Sequence, residues 1–320
     1  MANNLSYTAV IRTLGTAGRK YQELLDSLDK QTVKPERIIV YIAEGYPLPK
    51  ETIKWEQYVF VKKGMVAQRA LRYDEVETEW ILALDDDLYL PPSFVEDMYY
   101  AVIENGADII SPDIYPNAQR SFIGRCMMSL SGRMRARNDD GEWAYKVMRN
   151  AGYSYNLHPD KDVYLSQTNA GACFLCRKKD FLKIHFEDEL WLDDSKYPLG
   201  EDQVMYYKMF QKGLKLLTLY NSGIKHLDAG SSMLTEEKER LMIYSDFRFK
   251  TIFWYRFIYK PDKSWLSRQW SKLCIGYTFI FALFVSLAKG NLNIYKVKLN
   301  AIKDGIRYIN GNICTTNSSI

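Results

Sequence analysis

The sequence is poor in cysteine: five in 320 residues, an odd and scattered set. Cys126, Cys173, Cys176, Cys274 and Cys314 do not make a disulfide framework, and a reducing compartment is expected. Cys173 and Cys176 have CxxC spacing, but they sit in the apolar run Ala172-Cys173-Phe174-Leu175-Cys176. No second pair completes a tetrahedral zinc site, so two core thiols fit better than a metal or redox pair. An excess of one charge is lacking too. The formal charge is +4, too small to argue for a nucleic-acid partner. Histidine is scarce, at three residues. No internal repeat or low-complexity tract stands out. The opening Met1-Ala2-Asn3-Asn4 and the strand-like run after it lack the basic-then-apolar pattern of a leader, so a cytoplasmic protein is expected.

What is present is the composition of a folded protein: 47% hydrophobic and 26% charged. The length allows about two domains, or one large α/β domain with an appendage. Aromatic residues make up 14%, with 24 tyrosines. Such rings suit sugar stacking or a membrane interface, and they are also ordinary core material.

The first half alternates two periods. Strand patterns cover Tyr7 to Leu14, Arg37 to Ile42, Tyr58 to Val61, Trp80 to Leu84 and Asp108 to Ser111. Helical spacing covers Arg19 to Gln31 and Val66 to Val76, and Pro91-Pro92 opens a helix running to about Glu104. Strands alternating with helices predict βαβ units and a mostly parallel sheet. Asp113 to Gln167 is less regular and carries Arg120, Arg125, Arg133, Arg135 and Arg137; it reads as an insertion over the sheet or a solvated loop. Strand pattern returns over Thr168 to Arg177 and Leu214 to Tyr220, with a helix over Gly200 to Gln211 between them.

Three local features could carry chemistry. Asp85-Asp86-Asp87 directly follows the buried-strand pattern Trp80 to Leu84. That places three carboxylates at the carboxyl edge of a parallel sheet, where open α/β folds bind ligands. Adjacent carboxylates repel unless a cation joins them, and Mg²⁺ or Mn²⁺ would do so while bridging to phosphates. Alternation along the chain makes Asp87 the first choice for metal, with Asp85 nearer a sugar or ribose. A solvated turn capping the next helix is the bland alternative. Gly200-Glu201-Asp202 starts a helix, either as a simple cap or as the seat of a general base. His226 follows a strand and is either structural or a third member of the Asp87 site. His158 and His185 read as structural.

These features, in this order, resemble the family 2 glycosyltransferases of the GT-A fold. The likeness starts at Val10-Ile11-Arg12-Thr13 and continues through Leu24 to Thr32 and Pro35-Glu36-Arg37-Ile38-Ile39-Val40. It includes Gly64-Met65-Val66-Ala67-Gln68-Arg69-Ala70, the DxD-like Leu84-Asp85-Asp86-Asp87, Asn169-Ala170-Gly171-Ala172, Gly200-Glu201-Asp202-Gln203 and His226. It spans roughly Val10 to Asp228. The resemblance implies a Rossmann-like, mostly parallel sheet flanked by helices. It implies a nucleotide-sugar donor, most simply a UDP-sugar, lying near Thr13, Glu44, Arg69, Asp85 and Asp86. It implies Mn²⁺ or Mg²⁺ on Asp87, with Asp85 and His226, and Asp202 or Glu201 as the base in an inverting transfer. Two departures bear on the nucleobase: Glu44 is displaced from the family's usual acidic position, and Ala70 stands where asparagine commonly follows the arginine.

The tail changes character near residue 246, dividing a catalytic domain over 1–245 from an extension over 246–320. Trp265, Arg268, Trp270 and Lys272 precede an uncharged run from Leu273 to Ala288. That run is short for a membrane span, and its basic and aromatic flanks are those of an interfacial helix. A buried core helix and a true span are the alternatives. The tail is also similar to those of family members that build bacterial surface polysaccharides, whose acceptors are glycans or lipid-linked glycans at a membrane. Two rivals remain. One is a sugar nucleotidyltransferase, given the glycines and basic residues of Gly15 to Lys20; the other is a non-catalytic, membrane-associated sugar-binding scaffold.

Overall fold

The computed structural model describes residues 5–114, 121–123, 126, 141–156, 158–227 and 235–317. The arginine-rich stretch, Arg120, Arg125, Arg133, Arg135 and Arg137, lies outside them, as does Asp228. In chain order the elements are β1 (Tyr7–Thr13), α1 (Arg19–Asp29), β2 (Arg37–Ala43), β3 (Gln57–Val61), β4 (Trp80–Asp85), β5 (Leu88–Tyr89), α2 (Phe94–Glu104) and β6 (Ile109–Pro112). Then come β7 (Trp143–Val147), β8 (Tyr153–Tyr155), β9 (Val163–Ser166), β10 (Cys173–Arg177) and α3 (Lys178–Leu182). A 3₁₀ segment follows at Phe186–Asp194, then α4 (Glu201–Gln211), β11 (Leu216–Leu219) and β12 (Lys225–His226). The last part holds α5 (Glu236–Phe253), a π-helical stretch at Trp254–Tyr259, α6 (Trp265–Ala288) and α7 (Leu292–Asn317).

The chain divides into two compact units. The first comprises 1–117, 158–193 and 201–233, and its strands run in the order β3-β2-β1-β4-β10-β6-β11-β9. The pairs β3/β2, β2/β1, β1/β4 and β6/β11 are parallel. β10 enters antiparallel between β4 and β6, and β9 is antiparallel to β11. The sheet is therefore mostly parallel, as the alternating pattern predicts. β1, β2 and β4 are buried nearly end to end, which is why apolar residues appear on both faces of each. Leu24, Leu25 and Leu28 of α1, with Phe94, Met98 and Val102 of α2, cover one face of the sheet. Cys173 and Cys176 are both buried in β10 without a disulfide. Three residues apart on a strand, they point to opposite faces and cannot act as a pair.

Two expectations fail. Val66 to Val76 is a set of turns rather than a helix. The Asp193 carboxylate accepts hydrogen bonds from the backbone of Val66 and Ala67, at 3.0 and 2.9 Å, and Tyr73 takes a left-handed φ of 53° that a helix cannot continue through. The insertion is also more regular than expected where it is described. In the second unit (118–157, 194–200 and 234–320), β7 and β8 form a hairpin closed by Met148 and Gly152.

The second unit's helical part is built on α5, α6 and α7. Phe247, Ala282 and Ala301 form its buried centre, with Phe279 and Ile302 packed against them. α6 is long and apolar enough to cross a membrane by length and composition. The apolar run of the sequence lies entirely within it.

Candidate active site

β4 delivers its acidic end to the carboxyl edge of the parallel strands, and the three aspartates then diverge. Asp85, still in the strand, turns toward two guanidinium groups. Arg12 Nη2 donates to its Oδ1 at 2.8 Å, and Arg69 Nη2 approaches both its oxygens at 3.4 Å. Asp86 accepts a hydrogen bond from the Thr13 hydroxyl. Burial, opposed by that bond and reinforced by Asp87 and Asp85, raises the Asp86 carboxyl to about 6. Asp87 faces His226, with Oδ1 3.5 Å from Nε2.

That last pairing depends on a small second sheet. β12 lies antiparallel to β5, with His226 opposite Leu88, and Leu227 N donates to Asp87 O at 2.8 Å. The two-stranded ladder brings a residue 139 positions downstream onto the acidic turn. One carboxylate and one imidazole make an incomplete shell. Among the described residues no three His, Cys, Asp or Glu side chains gather as a metal-binding group. An oxygen and a nitrogen donor nevertheless suit a divalent cation that takes its remaining ligands from a diphosphate and water.

On the other side of Asp85 lies a buried cluster of opposite charges. Arg12 is 5% exposed and bridges Asp85 to the Gly171 carbonyl, at 2.9 Å. Arg69 reaches from Asp85 toward Asp202, with Nε 3.9 Å from Oδ1. Burial disfavours its charge, but Asp85, Glu201 and Asp202 outweigh burial and hold the guanidinium firmly protonated. Glu201 and Asp202 open α4 after Gly200, whose φ is 90°. Burial, with the adjacent Asp202, pushes the Glu201 carboxyl up to about 8. Burial also raises Asp202, while Arg69 and the Gly171 amide work to keep it ionised. Gly171 must be glycine here: a Cβ on it would lie 2.0 Å from Asp202 Oδ1.

Two guanidinium groups thus face three carboxylates, Asp85, Glu201 and Asp202. One proton held on Glu201 brings the cluster to neutrality, which is what low-dielectric surroundings favour. Arg12 Nε and Nη1, Arg69 Nε and Asp202 Oδ1 are buried without a hydrogen-bond partner. Such atoms are rare in folded proteins, and four within one charged cluster leave it hydrogen-bonding capacity that a polar ligand could use.

The other expected residues lie around this centre. Thr13 is committed within the protein: its hydroxyl meets Asp86, accepts from Gly15 N at 2.8 Å, and its carbonyl accepts from Gln68 at 3.2 Å. Glu44 is exposed just beyond β2, where its backbone N donates to Val61 O at 2.8 Å. Gly15 makes room for the Pro47 carbonyl, which a Cβ would meet at 2.1 Å. Its loop is filled by the chain's own backbone, unlike a loop kept open for phosphates. Two residues escaped the sequence reading as participants. Arg12 was visible as a lone cation in a buried apolar strand, a pattern that demands a partner. Asp193 gave no such signal.

No protein-family model and no curated protein match the chain. Among solved structures, the chain is similar to the crystal structure of GalNAc-T7 with UDP, GalNAc and Mn²⁺, at a TM-score of 0.50 and 15% identity. The match covers 85% of this chain and 57% of that one. The chain has the GT-A fold. The chain thus spans little more than half of that structure's length, and the likeness is one of fold. In the GT-A fold found here, the mostly parallel sheet carries Asp85, Asp86 and Asp87 at its carboxyl edge and the helices α5 to α7 follow it.

Proposed function

We propose that the protein is a metal-dependent, inverting glycosyltransferase that moves a sugar from a nucleoside-diphosphate donor to an acceptor hydroxyl. The observation that carries this reading is the pair of sites flanking Asp85. Asp87 pairs with His226, and Asp85 is tied through Arg69 toward Asp202. An in-line displacement needs these two functions on opposite sides of the reacting carbon. The GT-A fold, and the UDP, GalNAc and Mn²⁺ in the structure it resembles, support the same class.

In this reading Asp202 accepts the acceptor hydroxyl's proton as the oxygen attacks the anomeric carbon. The bond from that carbon to the diphosphate oxygen breaks, and the configuration inverts. Arg69 holds Asp202 ionised and aimed, and Glu201 keeps the proton that balances the cluster. Asp85 orients both arginines and borders the sugar or ribose, beside Asp86 and Thr13, with Glu44 toward the nucleoside. Mn²⁺ or Mg²⁺ held by Asp87 and His226 would neutralise the leaving diphosphate as a Lewis acid. The protein works on glycan or lipid-linked glycan acceptors at the inner membrane face, in surface-polysaccharide or glycolipid assembly. The closed Gly15 loop weighs against a nucleotidyltransferase.

Thermal denaturation with UDP, GDP, dTDP and CDP, each with and without Mn²⁺, tests the donor site. One nucleotide stabilises the protein only with metal, and Asp87→Ala abolishes the shift. A folded protein that no diphosphate stabilises refutes the reading and favours a scaffold.

A further inference from the structure

α6 has its polarity reversed for a helix in water. Its buried face is Ser271, Ile275, Thr278, Ala282 and Ser286. The hydroxyls there are engaged: Ser271 and Thr278 donate to carbonyls one turn back, at 2.9 Å each. Asn150 donates to Thr278 at 3.1 Å, and Lys298 to Ser286 at 2.8 Å and to the Ala282 carbonyl at 3.1 Å. The outward face carries the large apolar side chains. Leu266, Trp270, Leu273, Ile280, Phe284 and Leu287 are between 46% and 73% exposed. A helix facing water puts such residues inside and hydroxyls outside.

The six lie at spacings of three, four or seven, the period of a seam that would also suit a second helix. A helix–helix seam in water is bordered by charged residues, however, and there is none from Leu273 to Ala288. Basic side chains gather with tryptophans at the N-terminal end, while Lys289 follows the run at the other. Lys260, Lys263 and Lys272 are exposed beside Trp265 and Trp270, and Lys272 lies 5.0 Å from the Tyr259 ring centre. The acid between Lys260 and Lys263, Asp262, lies 3.7 Å from Arg149. A basic aromatic end next to an apolar face is complementary to anionic headgroups over acyl chains. One side of α6 is packed on its own unit, through Asn150 and Lys298, so the apolar surface left to lipid is one-sided.

We propose that α6 is a one-sided lipid-docking surface. Its outward face enters the acyl boundary of a bilayer, and the Lys260–Lys272 end meets anionic headgroups. The proposal deepens the membrane-surface part of the proposed function and rests on it, naming the face and the lipid chemistry.

The test is flotation of the full chain with vesicles of phosphatidylcholine, alone or with phosphatidylglycerol. The wild type floats, more strongly on the anionic vesicles. Combining Leu273→Glu, Ile280→Glu and Phe284→Glu, all at exposed positions, lowers partitioning by about a hundredfold or more on both. Combining Lys260→Gln, Lys263→Gln and Lys272→Gln removes the anionic preference, by about fivefold per lysine. A glutamate variant that floats like the wild type overturns the proposal. So does a wild type that stays with the soluble fraction, or one whose apolar face is covered in a stable dimer that the glutamates split. The glutamate variant should keep its thermal midpoint and its Mn²⁺-dependent nucleotide shift. Absence of that shift in the wild type and the variant alike, with flotation as expected, would sink the donor-site reading and leave lipid docking standing.

Discussion

Replacing Glu201 with glutamine removes a titration that the fold itself has displaced. The carboxyl is 8% exposed and rises from an ordinary 4.5 to about 8, through burial first and then the neighbouring Asp202. Its folded-state proton affinity exceeds the unfolded one, so between those two values the folded protein binds more protons than the unfolded chain. Stability therefore falls as pH rises across that interval and levels off above about 8. At about 1.36 kcal/mol per pH unit, the full displacement corresponds to a ceiling of about 5 kcal/mol. Arg69 already opposes the rise to about 8, and water reaching the third-exposed Asp202 side chain offsets part of the ceiling, which leaves a fall of about 2 to 5 kcal/mol. Glu201→Gln keeps the shape and the neutral state at every pH. Urea denaturation at intervals from pH 5 to 9 reads the difference. The wild-type curve declines, and the glutamine variant stays flatter and overtakes it at the alkaline end. Parallel curves would refute the proton assignment, and with it the neutral cluster of two arginines and three carboxylates.

Gly171→Ala drives a methyl group into Asp202 Oδ1; the carboxylate moves by about 1 Å, and turnover drops about a hundredfold while nucleotide-dependent thermal stabilisation persists. In glycosyl-transfer assays with the donor that the thermal shift selects, Asp202→Asn loses about 10²- to 10⁴-fold in kcat, whereas Glu201→Gln keeps most of it. The reverse order would make Glu201 the base. Asp193→Ala frees the Val66 and Ala67 amides and costs about 1 to 3 kcal/mol in urea denaturation, with a weaker response to nucleotide because Arg69 rides on the same turns.

Much of this architecture was legible in the sequence because burial wrote it there. The runs Tyr7 to Leu14 and Trp80 to Leu84 are apolar on both faces, and only strands inside a covered sheet are. The acidic turn after β4, the Glu201-Asp202 helix start and His226 each had a bland reading as a turn, a cap or a structural histidine, and it was their order along the chain that made them stand out together. The Val66 to Val76 segment misled because its apolar spacing suits a helix equally well. What decides it is Asp193, 127 positions from Val66, and no local pattern carries that bond. The pairing of β12 with β5 was hidden for the same reason: two residues per strand leave no periodicity to read. Arg12 was hidden by expectation rather than by physics, since a cation between Ile11 and Thr13 in a buried strand has to be neutralised by something.

The late arrival of β10 has a consequence for how the chain matures. β4 is complete by Asp85, but the strand that covers its free edge begins at Cys173. On a ribosome adding about 5–20 residues per second, the edge of a four-stranded parallel half-sheet would wait roughly 4 to 18 seconds for its neighbour. During that wait an apolar strand with unsatisfied amides is open to pairing with the wrong chain. Synthesis rate between those two points is therefore a quantity to which the yield of soluble protein should be sensitive. Slowing it after β4 has emerged and before β10 has emerged prolongs the hazard, and slowing it once β10 is free to pair does not.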